Sequence, residues 1–472
     1  MLFPTVEFAL FFLLTLCVAW LLASWPARHK AFLLLASYVF YGFWNWAYVP
    51  LLFGISLFAG LLAQRIQRSA SLRARRLWLA LGVMGCLATL VYYKYTGFLL
   101  QNFLEAWRYM GRQTPEVSFN NPVLPLGISF FVFHAISLLA DVYKKRLQQP
   151  VKIHDALLYV AFFPQLIAGP ILRASNFMPQ LAVPRNPRAI FVNRGLMLIV
   201  TGLVKKVLIS NQLAVALVDP TFAAPSLASG PDMLLATYGY AVQIYCDFSG
   251  YTDIAIGCAL LLGYKFPANF DRPYIATDPQ DFWRRWHISL SSWLRDYLYI
   301  PLGGSRRGGL RTLLNLMVTM LLGGLWHGAA WTFVIWGGLH GFYLIVHRLW
   351  AALPWLARWR STTAWRWVSR LLLFHAVCVA WIFFRSPSLD MALTVFQRLG
   401  AGGPLTLAST TTVLALAAGL VGQYMPLRWG RALEREFSRW VFPLRGALFA
   451  CAIFVIEALG PSGVAPFIYF QF

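Results

Sequence analysis

The chain has 472 residues, with 40 Lys and Arg against 17 Asp and Glu, a net charge of +23, 59% hydrophobic residues and only 12% charged ones. Soluble domains run at about 45–50% apolar and about 25% charged, and disorder needs low hydrophobicity, so both classes are excluded. A nucleic-acid binder would share the basic balance but would carry its cations on a solvated face, not between long apolar runs; what remains is an all-α, polytopic integral membrane protein with no nucleic-acid partner.

A spanning helix needs about 20 mainly apolar residues. Thr5–Ser24 is the first such stretch; it lacks a basic leader and is followed by further spans, so it reads as a mature helix and not as a signal peptide. Further candidates lie at roughly 31–46, 48–63, 77–97, 123–143, 156–172, 190–210, 232–247, 252–264, 312–326, 330–347, 370–384, 408–424 and 441–460. Several are short or interrupted by Gly and Pro and read as half-helices, re-entrant or interfacial segments, which gives about eleven full spans.

The loops orient the chain. Arg28–Lys30 is basic, Gly42–Val49 has no Lys or Arg, and the next loop holds Arg65, Arg68, Arg73, Arg75 and Arg76. The 98–122 loop is mixed, and Lys144, Lys145 and Arg146 follow. This alternation places the N-terminus outside by the positive-inside rule. The later blocks Arg284–Arg311, Arg348–Arg370 and Arg428–Arg445 then read as cytoplasmic, and topology plus contact with anionic membrane lipids accounts for such clusters. No repeat and no separate soluble domain is visible, so residues 1–472 read as one membrane-embedded domain with its chemistry-bearing motifs at 243–341. The six cysteines are scattered, with no CxxC spacing; neither a disulfide framework nor a metal site is expected.

Six of the 17 carboxylates fall between Asp247 and Asp296. Asp247 and Asp253 sit in an apolar stretch, QIYCDFSGYTDIAIG, where an ionisable group must pair or face a wet cavity. They are expected to meet cations from the following loop, as a packing ion pair or beside a reactant. Asp281–Gly304 mixes tryptophans, tyrosines and arginines around His287, a composition suited to one or two short helices at the membrane–water interface. His287 is either structural or a functional imidazole kept neutral by the surrounding cations. His327 lies in GGLWHGAAW, between two apolar halves and among glycines that permit close approach; it too is either a hydrogen-bonded core histidine or a catalytic one, with His340 a further candidate. His134, His347 and His375 read as structural or interfacial, and His29 and His154 as solvated. No P-loop, GxSxG or HExxH motif occurs.

At these residues the sequence resembles the membrane-bound O-acyltransferase family, and within it the bacterial polysaccharide O-acetyltransferase branch. The resemblance rests on LPLGISFFVFHAISLLADVYK (124–144), FFPQLIAGPILR (162–173), GLVKKVLI (202–209), QIYCDFSGYTDIAIG (243–257), FWRRWHISLSSWLRDYLYIPLGG (282–304), LLGGLWHGAAWTFVIWGGLHG (321–341) and the terminal APFIYFQF (465–472). It implies helices around a central funnel or tunnel in which two histidines meet. His327 matches the family's principal catalytic histidine and His287 its supporting one. It further implies transfer of an acetyl group from a cytoplasmic thioester, acetyl-CoA, with no tightly bound cofactor. The acetyl group passes across the bacterial inner membrane to a periplasmic acetyltransferase partner within an exopolysaccharide synthesis and export complex, acting on a polymer of the cellulose or alginate type. Arg284, Arg285, Trp286 and Arg295 would form a donor-side rim attracting the coenzyme's phosphates, although topology explains the same arginines. D-alanyl or other acyl transfer to an envelope polymer, and a transporter, are the alternatives. Independently of the family, a hydroxyl attacks a thioester poorly unless a base takes its proton, which a histidine does near neutrality. The oxyanion needs donors, His287 or backbone N–H groups near Gly323–Gly328.

Overall fold

The computed structural model describes residues 3–113, 122–187, 190–354, 361–461 and 467–468, and every regular element among them is helical. Only Phe467 and Ile468 of the terminal block 465–472 are among these residues. The chain packs as two compact units: Glu7–Ile190 with Leu262–Tyr264, and Phe191–Leu261 with Lys265–Phe472 and Leu2–Val6.

The first unit holds α1 (Val6–Leu21), α2 (Pro26–Gly42), α3 (Val49–Arg68), α4 (Leu72–Leu90), α5 (Thr96–Tyr109), α6 (Ile128–Tyr143), α7 (Ile153–Ala161), α8 (Phe163–Leu166) and α9 (Ala174–Leu181). α6 is buried at every position from Ile128 to Val142, because α3, α4, α7 and α9 pack around it. A π-type turn at Val91–Tyr95 joins α4 to α5. The stretch expected to span at 156–172 breaks after α7: Pro164 has no N–H to continue the ladder, and Phe162 turns to φ −56°, ψ 113°. Buried polar groups here are tied locally, as in Lys30 Nζ to Asp155 Oδ1 at 2.6 Å and Ser175 N to Asp141 Oδ2 at 3.0 Å. His29, expected to be solvated, is buried in the first turns of α2 with Nδ1 2.9 Å from the Ala19 carbonyl. A carbonyl near the end of α1 supplies the partner that the sequence does not show. His154 is the solvated one, its side chain 54% exposed.

The second unit opens with α10 (Val192–Leu203), which continues through π-type turns at Val204–Asn211 and Ala214–Val218 into α11 (Asp219–Ala223). α12 (Gly230–Leu261) follows, then the short α13 (Pro279–Arg285) and α14 (Ile288–Leu294), and then α15 (Gly309–His327) and α16 (Trp331–Ala351). The remaining helices are α17 (Thr363–Arg385), α18 (Leu389–Leu399), α19 (Thr410–Val421), α20 (Leu427–Arg439) and α21 (Phe442–Leu459). α10 and α12 touch backbone to backbone through glycines. A Cβ on Gly202 would lie 2.5 Å from the Gly250 carbonyl oxygen, and one on Gly257 2.7 Å from that of Gly195. Seven residues separate the glycines on each helix, about two turns, so the small residues form one stripe along the contact.

That approach sets the charges. Lys206 pairs with Asp247, both nearly fully buried, and Lys205 Nζ lies 2.5 Å from Asp253 Oδ2. The cations thus come from the preceding helix and not from the following loop, because the π-type turn after α10 brings two consecutive lysines to the aspartate face of α12. With its polar break satisfied, α12 runs unbroken for 32 residues, where two separate spans, 232–247 and 252–264, were expected. At 1.5 Å per residue it is ~48 Å long, more than the ~30 Å hydrocarbon layer requires.

Six helices among the described residues are long and apolar enough to cross a membrane, with Val6–Leu21 and Ile128–Tyr143 as shorter apolar helices. The count of about eleven is not confirmed: two candidate spans fuse in α12, and another breaks after α7. The architecture is that of an all-α, multi-pass membrane protein.

Candidate active site

The site is built in the second unit, where two short helices meet a helical hairpin. Asp278 caps α13, its Oδ1 accepting the Asp281 N–H at 2.8 Å, and Pro279 occupies the first turn. The chain then leaves the helix at Trp286 (φ −94°, ψ 127°) and turns through His287 in the left-handed region (φ 41°, ψ 55°) before α14 begins. A non-glycine residue there is strained and persists only when its surroundings hold it. The holding element is the linker at 269–271. The Ile288 N–H donates to the Asn269 carbonyl and the Asp271 N–H to the Arg285 carbonyl, each at 2.9 Å. The Asn269 side chain, 1% exposed, adds Oδ1 contacts to Ser289 N at 3.1 Å, Ser289 Oγ at 2.8 Å and His287 Nδ1 at 3.2 Å.

α15 and α16 form the hairpin. A Cβ on Gly324 would lie 3.1 Å from the Gly337 Cα, so two glycines let the arms close. His327 is the last residue of α15 and 3% exposed; the two apolar halves read from the sequence are these two helices, with the histidine at their junction.

His287 and His327 share one ring. Trp326 lies 6.1 Å from His287 and 5.0 Å from His327, both edge-on. His327 also meets Trp336 at 4.8 Å and Phe384 at 5.2 Å. Trp336 carries the contact on to His340 at 4.7 Å, and His340 stacks on Phe282 at 5.9 Å. Phe248 of α12 closes the other side of His287 at 4.6 Å. His287 lies outside the spanning helices, and burial pushes its imidazole down to about 3, so the ring is neutral.

All six carboxylates from Asp247 to Asp296 have cationic or imidazole neighbours. Asp271 has Arg272 and Arg285, Asp281 has Arg285, Asp296 has Arg295, and Asp278 faces His347 at 3.6 Å, beside the pairs with Lys205 and Lys206. Their clustering is one of charge pairing.

The four residues expected on a donor rim separate. Arg284 and Arg295 line a cavity of about 550 Å³ together with His347 and Arg348, between α13–α14 and the α15–α16 hairpin. Arg285 is committed to Asp281 at 2.9 Å and Asp271 at 3.4 Å. Trp286 is 1% exposed and packs on Phe270 at 5.1 Å and Trp381 at 4.9 Å, inside the aromatic core. Trp336, Trp381, Phe384 and Asn269 were not singled out from the sequence. The aromatic three look like any spanning-helix residues there, and Asn269 is a lone polar residue in a linker.

The profile of the membrane-bound O-acyltransferase family matches residues 77–385. The chain belongs to that family. Among its relatives, the probable alginate O-acetylase AlgI of Azotobacter vinelandii is 40% identical over 89% of this chain and 83% of that protein. The peptidoglycan O-acetyltransferase of Helicobacter pylori is 39% identical over 79% of this chain and 74% of its own length. The teichoic acid D-alanyltransferase of Bacillus subtilis is 27% identical over 59% of this chain and 73% of its own length. This family member is therefore an acyltransferase, and both histidine blocks and the whole α13–α16 assembly fall within the matched region.

Proposed function

We propose that the protein is an O-acetyltransferase of the bacterial inner membrane that takes an acetyl group from acetyl-CoA on the cytoplasmic side and passes it outward for O-acetylation of an exported polysaccharide. The observation that carries this reading is the pairing of His287 and His327 on Trp326, in the same helix assembly as an arginine-lined cavity whose wall includes Ile288, the residue after His287. His327 acts as the base. It takes the proton of the acceptor hydroxyl as the oxygen attacks the thioester carbonyl, and the departing thiolate is protonated in return. Closely packed aromatic rings keep water from the thioester. Arg284, Arg295 and Arg348 face the cavity and supply the charge that coenzyme A phosphates need. The relatives named for alginate and peptidoglycan acetylation favour an acetyl group and a glycan destination over D-alanyl transfer, since the teichoic acid relatives match less of the chain at lower identity. A periplasmic acetyltransferase working with an exopolysaccharide synthesis and export complex, of the alginate or cellulose type, would take the group onward.

The test is reconstitution in proteoliposomes with acetyl-CoA labelled in the acetyl group. Label should reach a hydroxyl acceptor on the side opposite the donor, and release of free coenzyme A should match it mole for mole. Label crossing as intact donor, or a substrate moving with no donor present, would make the protein a transporter. Transfer from a D-alanyl carrier in preference to acetyl-CoA would move it to the other branch.

A further inference from the structure

The side chain of Asn269 decides which nitrogen of His287 carries the proton. A backbone N–H can only donate, and the Ser289 N–H lies 3.1 Å from the Asn269 side-chain atom assigned as Oδ1. That atom must therefore be the oxygen and not the amide nitrogen. The Ser289 hydroxyl donates to the same oxygen at 2.8 Å. The amide's other end, Nδ2, points to Thr252 Oγ1 at 3.5 Å. The Ser289 oxygen also lies 3.4 Å from His287 Nδ1, but its single hydrogen goes to the nearer Asn269 oxygen; His287 Nδ1 itself sits 3.2 Å from that oxygen, which can only accept, so Nδ1 holds the hydrogen. A neutral imidazole has one N–H, which leaves Nε2 with a bare lone pair. Nε2 is buried and has no hydrogen-bond partner among the described residues. The rings facing His287 from the neighbouring elements are those of Phe248, Phe270 and Trp326, none of them charged.

We infer that Asn269 is a positioning residue, which fixes His287 as the Nδ1–H tautomer and so makes its Nε2 a hydrogen-bond acceptor toward the acyl-transfer site. The inference rests on His287 belonging to that site. It changes the role open to this histidine: with Nε2 bare, His287 cannot donate to a developing oxyanion, and it offers an acceptor to a donor group of the bound reactants other than the attacking hydroxyl, whose single proton goes to His327. Oxyanion donors must then come from other groups.

The experiment has two parts on the full-length protein in bilayers. Nitrogen-15 NMR of labelled histidine, with a His287→Gln variant to assign the signal, reads the tautomer without any turnover. Wild type should show a protonated Nδ1 and an unprotonated Nε2; the opposite pattern overturns the inference whether or not His287 acts in catalysis. Acyl transfer is then followed against pH in two variants at matched membrane levels. Asn269→Asp keeps an acceptor oxygen for all three donors and adds a negative charge that favours the imidazolium. Its activity should stay within about tenfold, with the acidic limb of kcat/KM moved to higher pH. Asn269→Leu removes the acceptor and should lose about 100-fold in kcat without recovery at any pH. Equal losses in the two variants with an unmoved acidic limb would reduce Asn269 to a packing residue. If instead His287→Gln transfers acyl groups at the wild-type rate, the site assignment fails, and the NMR result still stands or falls by itself.

Discussion

Each compact unit holds a fully buried histidine, and the two are held in opposite ways. His134 lies in mid-helix on α6, in a run where every side chain is buried, and packs its ring on Tyr159 at 5.6 Å. His287 lies at a break between two helices, in a strained left-handed conformation, with one ring nitrogen anchored by Asn269. Burial is the same in both cases. What differs is that the backbone around His287 departs from its regular course and a buried amide sets its proton. Strain of this kind is kept when the surroundings over-determine it, and it gathers at functional sites. Burial alone therefore does not set the two apart; the interrupted helix and the anchored ring nitrogen do.

The comparison breaks most sharply at His327, which sits at the other interruption, the α15–α16 junction. His327→Ala should lower acyl transfer by roughly 10³-fold, within the range for loss of a general base, while the amount of protein in the membrane stays normal. Undiminished acetylation in that variant would remove the base from the reading.

Charge is the next rival marker, and the acidic cluster is where it would show. Asp247 and Lys206 are buried and paired, so Lys206→Ala should destabilise the protein by about 3–5 kcal/mol by leaving a carboxylate unpaired. The loss should appear as lower membrane abundance and earlier thermal unfolding, with turnover per folded molecule little changed. Replacing both partners, Lys206→Met with Asp247→Leu, should recover most of the abundance. Normal abundance with lost turnover would instead assign this pair to the chemistry.

The cavity arginines should act more weakly and in a different parameter. Arg284→Glu together with Arg348→Glu should raise KM for acetyl-CoA by about tenfold or more, reduce its salt dependence and leave kcat within a fewfold. Arg285→Glu should behave otherwise, as a stability defect, because its partners are Asp281 and Asp271. An unchanged donor KM in the double variant would detach the cavity from the donor.

These distinctions show what the sequence carries and what it does not. Membrane class and helical content follow from composition, since 59% hydrophobic residues in long runs permit little else. The two histidine blocks stand out because each places an imidazole among aromatic residues or glycines. The partners of Asp247 and Asp253 were not legible, because they depend on glycine pairs 48–62 residues apart in sequence that bring α10 and α12 together. Nor was the division of the rim. Arg284 and Arg285 are adjacent letters, yet α13 turns one toward the cavity and the other toward two aspartates. Trp286 looked interfacial because it follows two arginines, and the break at the end of α13 takes it into the core. Asn269 carries no pattern at all; only the return of the 269–271 linker along α13 and α14 gives it a function.

The smallest expected effect bears most directly on the opening contrast. His134→Gln and His287→Gln make the same chemical change in two equally buried places. At His134 the loss is one of packing against Tyr159, about 1 kcal/mol, and acyl transfer per folded molecule should remain within about threefold. At His287 glutamine keeps a polar group but supplies no imidazole lone pair, and transfer should fall about 100-fold at unchanged abundance. Measuring both variants for abundance and for turnover separates the two positions on independent axes. If His134→Gln loses turnover as severely as His287→Gln while its abundance holds, a histidine in the middle of an unbroken helix is as much part of the chemistry as one at a strained junction, and the structural criterion drawn from the pair is wrong.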